Sequence, residues 1–361
     1  MARITTFNAH EFPPDAVRLR YKQYQKTSLS EIDADTSIVD LQSLDPDALP
    51  SSMTLVRWIS TEDLEPALAR FLSDSGKAEE LKKNIPVFTH QSVTGLLMVP
   101  SLFPPSVQIE LLSRLFHRDL SHSAHKTNLH LHYNVTYPVQ TNGITDYRDT
   151  TIFPDHPPKS HHVLSFFEDD QTRMLFPKDA EVHKPLTMHN VLTKKLRWAT
   201  LGGQYDWTAK VYPAERPPTF PEDIADLLRA AFPETVPEAA ILNLYSPGNT
   251  LSPHRDVSEE CDAGLISVSF GCDGLFLISH DDGTGCEIIR LRSGDAVYMD
   301  GTSRFAWHAV PKIVPDTCPS WLEDWPCIQG DGEKVSRFKE WKGWMSTKRI
   351  NLNVRQMVTP S

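Results

Sequence analysis

No apolar run in the 361-residue chain approaches the roughly 20 residues of a membrane-spanning helix, so no membrane partner is expected. The opening residues, Met1-Ala2-Arg3-Ile4-Thr5-Thr6-Phe7, lack the apolar core of a secretory signal, and Glu11 and Asp15 argue against an acid-poor mitochondrial presequence. Paired cysteines are missing too. Cys261, Cys272, Cys286, Cys318 and Cys327 form no CxxC motif, and their odd number and scatter suit free thiols in a reducing compartment. A cytoplasmic or nuclear address is the expectation, with the mitochondrion left open, and a monomer is expected. Positive charge is scarce: a formal net charge of -11 excludes a uniformly basic surface of the kind that neutralises nucleic-acid phosphates. Zinc patterns are absent as well. The stretch from His117 to His189 holds His122, His125, His130, His132, His156, His161 and His162, but no cysteine or carboxylate completes a site at suitable spacing. These histidines read as solvated loop residues.

What is present has the pattern of a mainly β protein with flanking helices. Residues 1–95 read as an α-helical and irregular N-terminal extension, with an amphipathic surface helix over Arg18 to Lys26 and a helical pattern over Thr61 to Leu72. The main domain, 96–361, starts with a strand at Gly95 to Pro100, followed by a helix over Pro104 to Phe116. A second amphipathic helix covers Pro221 to Phe232, with Ile224, Leu227, Leu228 and Ala231 on one face. Short strands follow at Ala240 to Tyr245, Leu265 to Phe270, Leu275 to Ile278, Glu287 to Leu291, Ala296 to Met299, Phe305 to Val310 and Ile350 to Arg355, punctuated by Gly and Asp. That spacing means a sandwich or jelly-roll core. The proline-bearing stretch 311–348 interrupts it as an insertion of the length often used for lids or binding segments.

Chemistry concentrates in that second half. In Ser252-Pro253-His254-Arg255-Asp256, strand alternation puts His254 and Asp256 on one side and Arg255 on the other. Alone, such a pair arises by chance in a histidine-rich chain. His308, in Phe305-Ala306-Trp307-His308, is the candidate third ligand, returned by the fold of the sheet. Two histidines and one carboxylate on one face of an octahedral metal leave three positions open, the non-heme Fe(II) pattern. In Arg349-Ile350-Asn351-Leu352-Asn353-Val354-Arg355, the four polar residues share one strand face, against an apolar face of Ile350, Leu352 and Val354. Guanidinium groups suit a carboxylate partner, and Asn243 and Tyr245, also two residues apart, add donors for a dicarboxylate beside the metal.

Asn243-Leu244-Tyr245, Pro247-Gly248, His254-Arg255-Asp256, Ser293-Gly294-Asp295, Trp307-His308 and Arg349 to Arg355 resemble, in order and separation, the AlkB family of Fe(II)/2-oxoglutarate dioxygenases. The resemblance spans roughly the last two-thirds of the chain. The run Leu196-Arg197-Trp198-Ala199-Thr200-Leu201-Gly202-Gly203-Gln204-Tyr205-Asp206-Trp207 is most similar to the homologue-one branch, whose members act on tRNA and have been linked to DNA. The resemblance implies a double-stranded β-helix and a substrate-lid region over 117–210. It assigns His254, Asp256 and His308 to iron, and Asn243, Tyr245, Arg349, Asn351 and Arg355 to 2-oxoglutarate. Asn353 stands where the family often has Thr. Ser258 replaces an acidic residue near the substrate base of the founding member, with Glu259 and Glu260 following. Trp198, Tyr205 and Trp207 match the nucleotide-recognition lid, Trp198 ahead of the other two, although aromatics also sit in cores.

The implied reaction consumes Fe(II)-bound 2-oxoglutarate and O2 and demethylates N-methylated bases, methyladenine in tRNA or DNA above all, with release of succinate, CO2 and formaldehyde. The acidic balance keeps a second reading open, an oxygenase acting on a protein side chain or small molecule. A non-catalytic binding module is disfavoured by the complete ligand set. One basic cluster, Lys334, Arg337, Lys339, Lys342, Lys348 and Arg349 with Trp341 and Trp344, reads either as a solvated helix face or as a nucleic-acid contact.

Overall fold

The computed structural model describes residues 7–8, 10–72, 84–141, 144–148, 161–208, 210–213, 217–259, 261–280, 282–327 and 337–359. Eight strands alternate between two facing sheets. Ala239–Tyr245, Arg349–Arg355, Leu265–Gly271 and Ala296–Met299 lie side by side in the larger sheet, and Leu251–His254, Trp307–Ile313, Gly274–Ser279 and Glu287–Leu291 in the smaller. Successive strands cross from one sheet to the other, apart from the hairpin made by Gly274–Ser279 and Glu287–Leu291, and all these pairings are antiparallel. This is the jelly-roll, double-stranded β-helix arrangement expected from the strand spacing.

Alternation along each strand divides the molecule into layers. Ile350, Leu352 and Val354 are fully buried and point away from the smaller sheet into a core shared with Ile266, Val268 and Phe270. The helices Thr61–Leu72, Pro105–Ser113 and Glu222–Ala231 cover that face through Leu64, Leu68, Val107, Leu111, Ile224 and Leu228. Their apolar residues recur at helical spacing, so each helix buries one stripe. Across the molecule, Leu275, Leu277, Ile288 and Ala309 of the smaller sheet pack on Val17, Tyr21 and Tyr24 of the helix Asp15–Lys26. Between the sheets, Leu265, Val297, Met299, Phe276 and Ile278 fill one end. The other end is lined by polar residues.

The N-terminal part is more integrated than an extension. Leu96–Val99, Ile85–His90 and Met53–Ile59 continue the larger sheet outward from Ala296–Met299, while Ile38–Asp40 adds a parallel edge strand to the smaller sheet. A division at residue 95 therefore falls between two paired strands. The pattern was hard to read because edge strands bury one face: Met53–Ile59 alternates buried and exposed positions and carries exposed Trp58 and Val56.

Two other expectations change. The histidines of 117–189 are not all solvated: His117 stacks on Phe338 at 4.6 Å, His125 is buried with Nδ1 donating to Asp119 O, and His130 Nδ1 accepts from Thr127 N at 2.9 Å. The structure of residues 149–160, with His156, and the side chains of His161 and His162 lie outside the described residues. The described parts of the 311–348 stretch, 311–327 and 337–348, are anchored in the core rather than lying over the site. Trp325, Trp341 and Trp344 are buried and pack edge-on against Phe167 at 5.1 to 5.6 Å.

The layered reading makes one quantitative claim. Leu352→Ala removes a fully buried side chain from the helix-covered face of the strand whose other face carries the polar row. It should cost about 2 to 5 kcal/mol, seen as a lower thermal midpoint with the iron stoichiometry unchanged at temperatures where the variant is folded.

Candidate metal centre and cosubstrate site

His254 and His308 stand opposite one another as register partners on adjacent antiparallel strands, with ring centroids 4.3 Å apart. The strand ends at His254, so Asp256 is not placed by strand alternation. It is held from two other directions: Arg304 Nη1 donates to Asp256 O at 2.9 Å, and Arg355 Nη2 pairs with Asp256 Oδ2 at 2.9 Å. Asp256 then lies 3.7 Å from His254 Nε2 and 3.9 Å from His308 Nε2, and one ligand atom from each of the three residues falls within 4.8 Å of the others.

The imidazoles are oriented for a metal. His254 Nδ1 lies 2.9 Å from Ser252 O, and His308 Nδ1 lies 3.1 Å from Ala306 O. A carbonyl only accepts, so each Nδ1 carries the proton and each Nε2 turns its lone pair toward the shared point. Burial and the neighbouring His254 push His308 down to about 4, which keeps it neutral and able to ligate at ordinary pH. Burial works against the Asp256 anion, but the Arg355 guanidinium above all, with Arg304, outweighs it and holds the carboxyl well below the usual carboxylate range. Two imidazoles and one carboxylate form the donor set of a divalent iron site with open positions.

Beside this centre the polar row of the last strand faces inward. Arg349 is buried, with Nη2 donating to Ser269 Oγ at 2.9 Å. Its Nε and Nη1 have no hydrogen-bond partner among the described residues, and neither has the Tyr245 hydroxyl, whose ring centroid lies 5.4 Å from the guanidinium carbon. Orphaned buried donors of this kind are costly unless a ligand takes them. A carboxylate fits them, so the residues present suit the distal end of 2-oxoglutarate. Gly274 makes room: a Cβ there would overlap Arg349 Nε.

Asn351 braces the floor, donating from Nδ2 to Ser267 Oγ at 2.8 Å and Val268 O at 3.2 Å. Asn353 turns Nδ2 toward Asp256 Oδ2 at 3.5 Å, and its Oδ1 is also buried without a partner. Asn243 and Asn353 line a cavity of about 360 Å³ together with His254, Asp256, Arg355, Tyr205 and Trp207.

The three lid aromatics are brought together, in a different order of closeness. Tyr205 and Trp207 form the cavity wall, whereas Trp198 packs behind, its ring 5.1 Å from Trp207. Trp207 Nε1 is buried with no hydrogen-bond partner among the described residues. The C-terminal basic cluster does not present its aromatics. Trp341 and Trp344 donate from Nε1 to Phe167 O and Leu192 O, and Arg337 pairs with Glu168. Lys334 lies outside the described residues.

Sequence reasoning missed several supporting residues. Ser267 and Ser269 alternate with apolar residues in Leu265-Ile266-Ser267-Val268-Ser269-Phe270, a visible sign of a polar inner face. Tyr212, whose hydroxyl accepts from Arg355 Nη1 at 3.0 Å, and the buried pair of Arg304 and Glu259 at 3.0 Å carried no local signal.

Comparison with known proteins agrees with this geometry. The family described as the 2OG-Fe(II) oxygenase superfamily matches residues 149–355. The chain is 44% identical, over 98% of both chains, to the N6-methyladenosine RNA demethylase ALKB1 of Pyricularia oryzae. It is 49% identical to the N6-methyladenosine RNA demethylase ALKBH of Cryphonectria parasitica, over 63% of this chain and 99% of that protein. With the tRNA demethylase abh1 of Schizosaccharomyces pombe it shares 37% identity over 76% of this chain and 82% of the other. A jelly roll carrying this ligand set is an Fe(II)- and 2-oxoglutarate-dependent oxygenase that uses O2. Within that class the chain belongs to the AlkB family and is most like its homologue-one members.

Two outcomes follow from the site. His254→Ala or Asp256→Ala should abolish iron-dependent succinate production while the protein still folds, because the metal loses one of three ligands; full activity in either variant would remove that residue from the centre. Arg349→Lys should raise the 2-oxoglutarate concentration needed for half-saturation and leave iron binding intact, because an ammonium lacks the planar fork. An unchanged cosubstrate titration would take Arg349 out of that role.

Proposed function

We propose that the chain removes N-methyl groups from adenine bases in nucleic acid, with RNA as the first substrate to test. One observation carries this reading: the cavity beside the three iron ligands is walled by Tyr205 and Trp207, the latter with an unpartnered indole N–H. A planar heteroaromatic ring uses both features, the faces for stacking and the N–H for an acceptor on the ring. A volume of about 360 Å³ is at the small end of ligand cavities and suits one extruded nucleotide rather than a paired stem. The base must leave its stack to enter, and the aromatic wall offsets part of an unstacking cost of a few kcal/mol. The relatives named as RNA and tRNA demethylases support the same substrate class.

The residues divide the work by position. Tyr205 and Trp207 would hold the base in the cavity beside His254 and Asp256, which together with His308 would hold the iron. Arg349 and Tyr245 anchor one end of the cosubstrate. Arg355 keeps Asp256 ionised and turned toward the centre, and the buried strand faces exclude water. When bound, iron and 2-oxoglutarate together supply oxygen activation, yielding succinate and CO2 and delivering one oxygen atom to a methyl C–H bond. The resulting N-hydroxymethyl group breaks its C–N bond and leaves as formaldehyde, restoring the N–H.

The test is to incubate the iron-loaded protein with total RNA, tRNA and genomic DNA and to quantify modified nucleosides by mass spectrometry. Loss of methyladenine with matching formaldehyde is expected. Succinate release without loss of any methylated nucleoside would move the substrate to a protein side chain or small molecule. Trp207→Ala should slow turnover of a methylated oligonucleotide by the equivalent of about 1 to 3 kcal/mol of base stacking, while succinate release in the absence of nucleic acid continues. If coupled and uncoupled rates fell together along with the melting temperature, Trp207 would be a core residue and not part of the base site.

A further inference from the structure

None of the five cysteines serves a step of the chemistry above, yet two of them meet. Cys272 opens the two-residue turn between the strands Leu265–Gly271 and Gly274–Ser279, and Cys318 comes from the stretch after Trp307–Ile313. Hydrogen bonds clasp the two segments. Val314 N donates to Asp273 O at 2.8 Å, Asp273 N donates to Thr317 Oγ1 at 2.8 Å, and Thr317 Oγ1 donates to Val314 O at 2.7 Å. Arg290 Nε pins the turn from another side through Asp273 Oδ2 at 2.7 Å. Across the clasp the Cys318 thiol donates to the Cys272 sulfur, which also accepts from the backbone N–H groups of Thr317 and Cys318.

The two thiols are chemically unequal. The donors around Cys272, Cys318 first, bring its thiol below the ordinary range although burial opposes them, whereas the same contact together with burial pushes Cys318 up. A thiol that ionises more easily, beside a second thiol able to attack it, is the arrangement of a reversible oxidation site. Both side chains are buried, but a small molecule has a way in. A cavity of about 390 Å³ is lined by Asp273, next to Cys272, and by Thr317 and Pro319 on either side of Cys318.

The turn also bears on the strand that carries Arg349. Gly271 is the register partner of Arg349, and Cys272 N donates to Lys348 O at 2.8 Å. A Cβ at Gly271 would fall 2.2 Å from Lys348 O, and one at Gly274 would fall 2.4 Å from Arg349 Nε. Cys272 therefore sits between two residues whose backbones lie directly against Lys348 and Arg349. Closing the thiol contact to a bond of about 2.0 Å draws this turn toward Cys318, and close packing passes the shift to the guanidinium.

We propose that Cys272 and Cys318 form a reversible disulfide that loosens the hold of Arg349 on 2-oxoglutarate. Its effect on the cosubstrate rests on the role of Arg349 described above. The oxidant is hydrogen peroxide. The Cys272 thiolate attacks one peroxide oxygen, the O–O bond breaks, and the departing hydroxide takes up the proton that Cys272 released, giving a sulfenic acid and water. The Cys318 sulfur then attacks the Cys272 sulfur, the S–O bond breaks, and hydroxide leaves with the Cys318 proton as a second water. The pair gives up two electrons and two protons, which a dithiol reductant returns.

The full-length, metal-free protein is treated with hydrogen peroxide, the excess is destroyed with catalase, and iron is added only afterwards, so that oxidation at the metal is avoided. Thiol titration should then find three of the five cysteines, and peptide mass spectrometry should find Cys272 joined to Cys318 with the loss of two hydrogens. The oxidised protein should need about threefold more 2-oxoglutarate or beyond for half-maximal succinate release, the scale of one weakened hydrogen bond. Dithiothreitol should restore both the thiol count and the titration. Cys318→Ala should form no disulfide at Cys272 and keep its cosubstrate titration after the same treatment, whereas Cys286→Ala should respond as the parent does. The peptide map uses the parent protein and decides the bond even where a variant fails to fold. Five thiols after treatment, or a bond between other cysteines, would overturn the site. A bond between Cys272 and Cys318 with an unmoved titration would overturn its link to the cosubstrate, and the Arg349→Lys titration then shows whether the role of Arg349 falls with it.

Discussion

The pair between Asp256 and Arg355 is the contact on which the rest of the site depends. Asp256 lies beyond the end of its strand and has no sheet register to place it. Arg355, buried at the end of the last strand, reaches it at 2.9 Å and in turn is fixed by Tyr212 at 3.0 Å and by Glu259 at 3.3 Å. Glu259 is bound to Arg304, which also donates to Ala263 O and Asp256 O. Two arginines and two carboxylates therefore stitch the loop after His254 onto the last strand. Removing one member of such a buried set leaves an uncompensated charge, at about 3 to 5 kcal/mol. The balance of charge also keeps Asp256 ionised in a place where burial alone would favour the neutral acid.

That network makes sense of the two-faced last strand. Its outer residues are held by the helix-covered core, which fixes the backbone. Its inner residues then project rigidly into the space between the sheets: Arg349 and Asn351 onto the serines of Leu265–Gly271, Asn353 and Arg355 onto Asp256. A site built on strands locked from behind holds donors in place before any ligand arrives. The orphaned atoms of Arg349 and Tyr245 are the mark of this. They are kept buried and unpaired by the surrounding packing, a cost tolerated where a cosubstrate completes the bonds.

Much of this was legible in the sequence, for physical reasons that also explain the rest. Period-two alternation in Arg349 to Arg355 reports directly on the two environments of a strand, so the polar row and its apolar reverse were readable without a structure. The spacing of His254 and Asp256 led to the same pair for an incomplete reason, since a strand that stops at His254 cannot align Asp256 by alternation. Contacts between distant segments left no local trace: nothing near Tyr212 or Glu259 announces Arg355. Tryptophans misled in both directions. Trp341 and Trp344 look like base platforms among lysines but spend their indole N–H groups on backbone carbonyls, whereas the Trp207 indole N–H has no partner among the described residues. Met53–Ile59 escaped because an edge strand with one exposed face has too few apolar residues to stand out from a surface segment.

The same contacts connect the cavity walls to the group formed by His254, Asp256 and His308. Trp198 and Trp207 are 5.1 Å apart, Trp207 and Tyr205 5.0 Å, Tyr205 and Tyr212 5.1 Å. The Tyr212 hydroxyl then meets Arg355, and Arg355 meets Asp256. The cavity walls Tyr205 and Trp207 thus belong to a packed series whose last member sets the position of Asp256. Close packing transmits small displacements rather than absorbing them, so occupancy of the cavity and geometry at the metal are not independent. Tyr212 is the one link in the series that joins aromatic packing to a charged hydrogen bond, so the orientation of Arg355 ties the cavity walls to the position of Asp256.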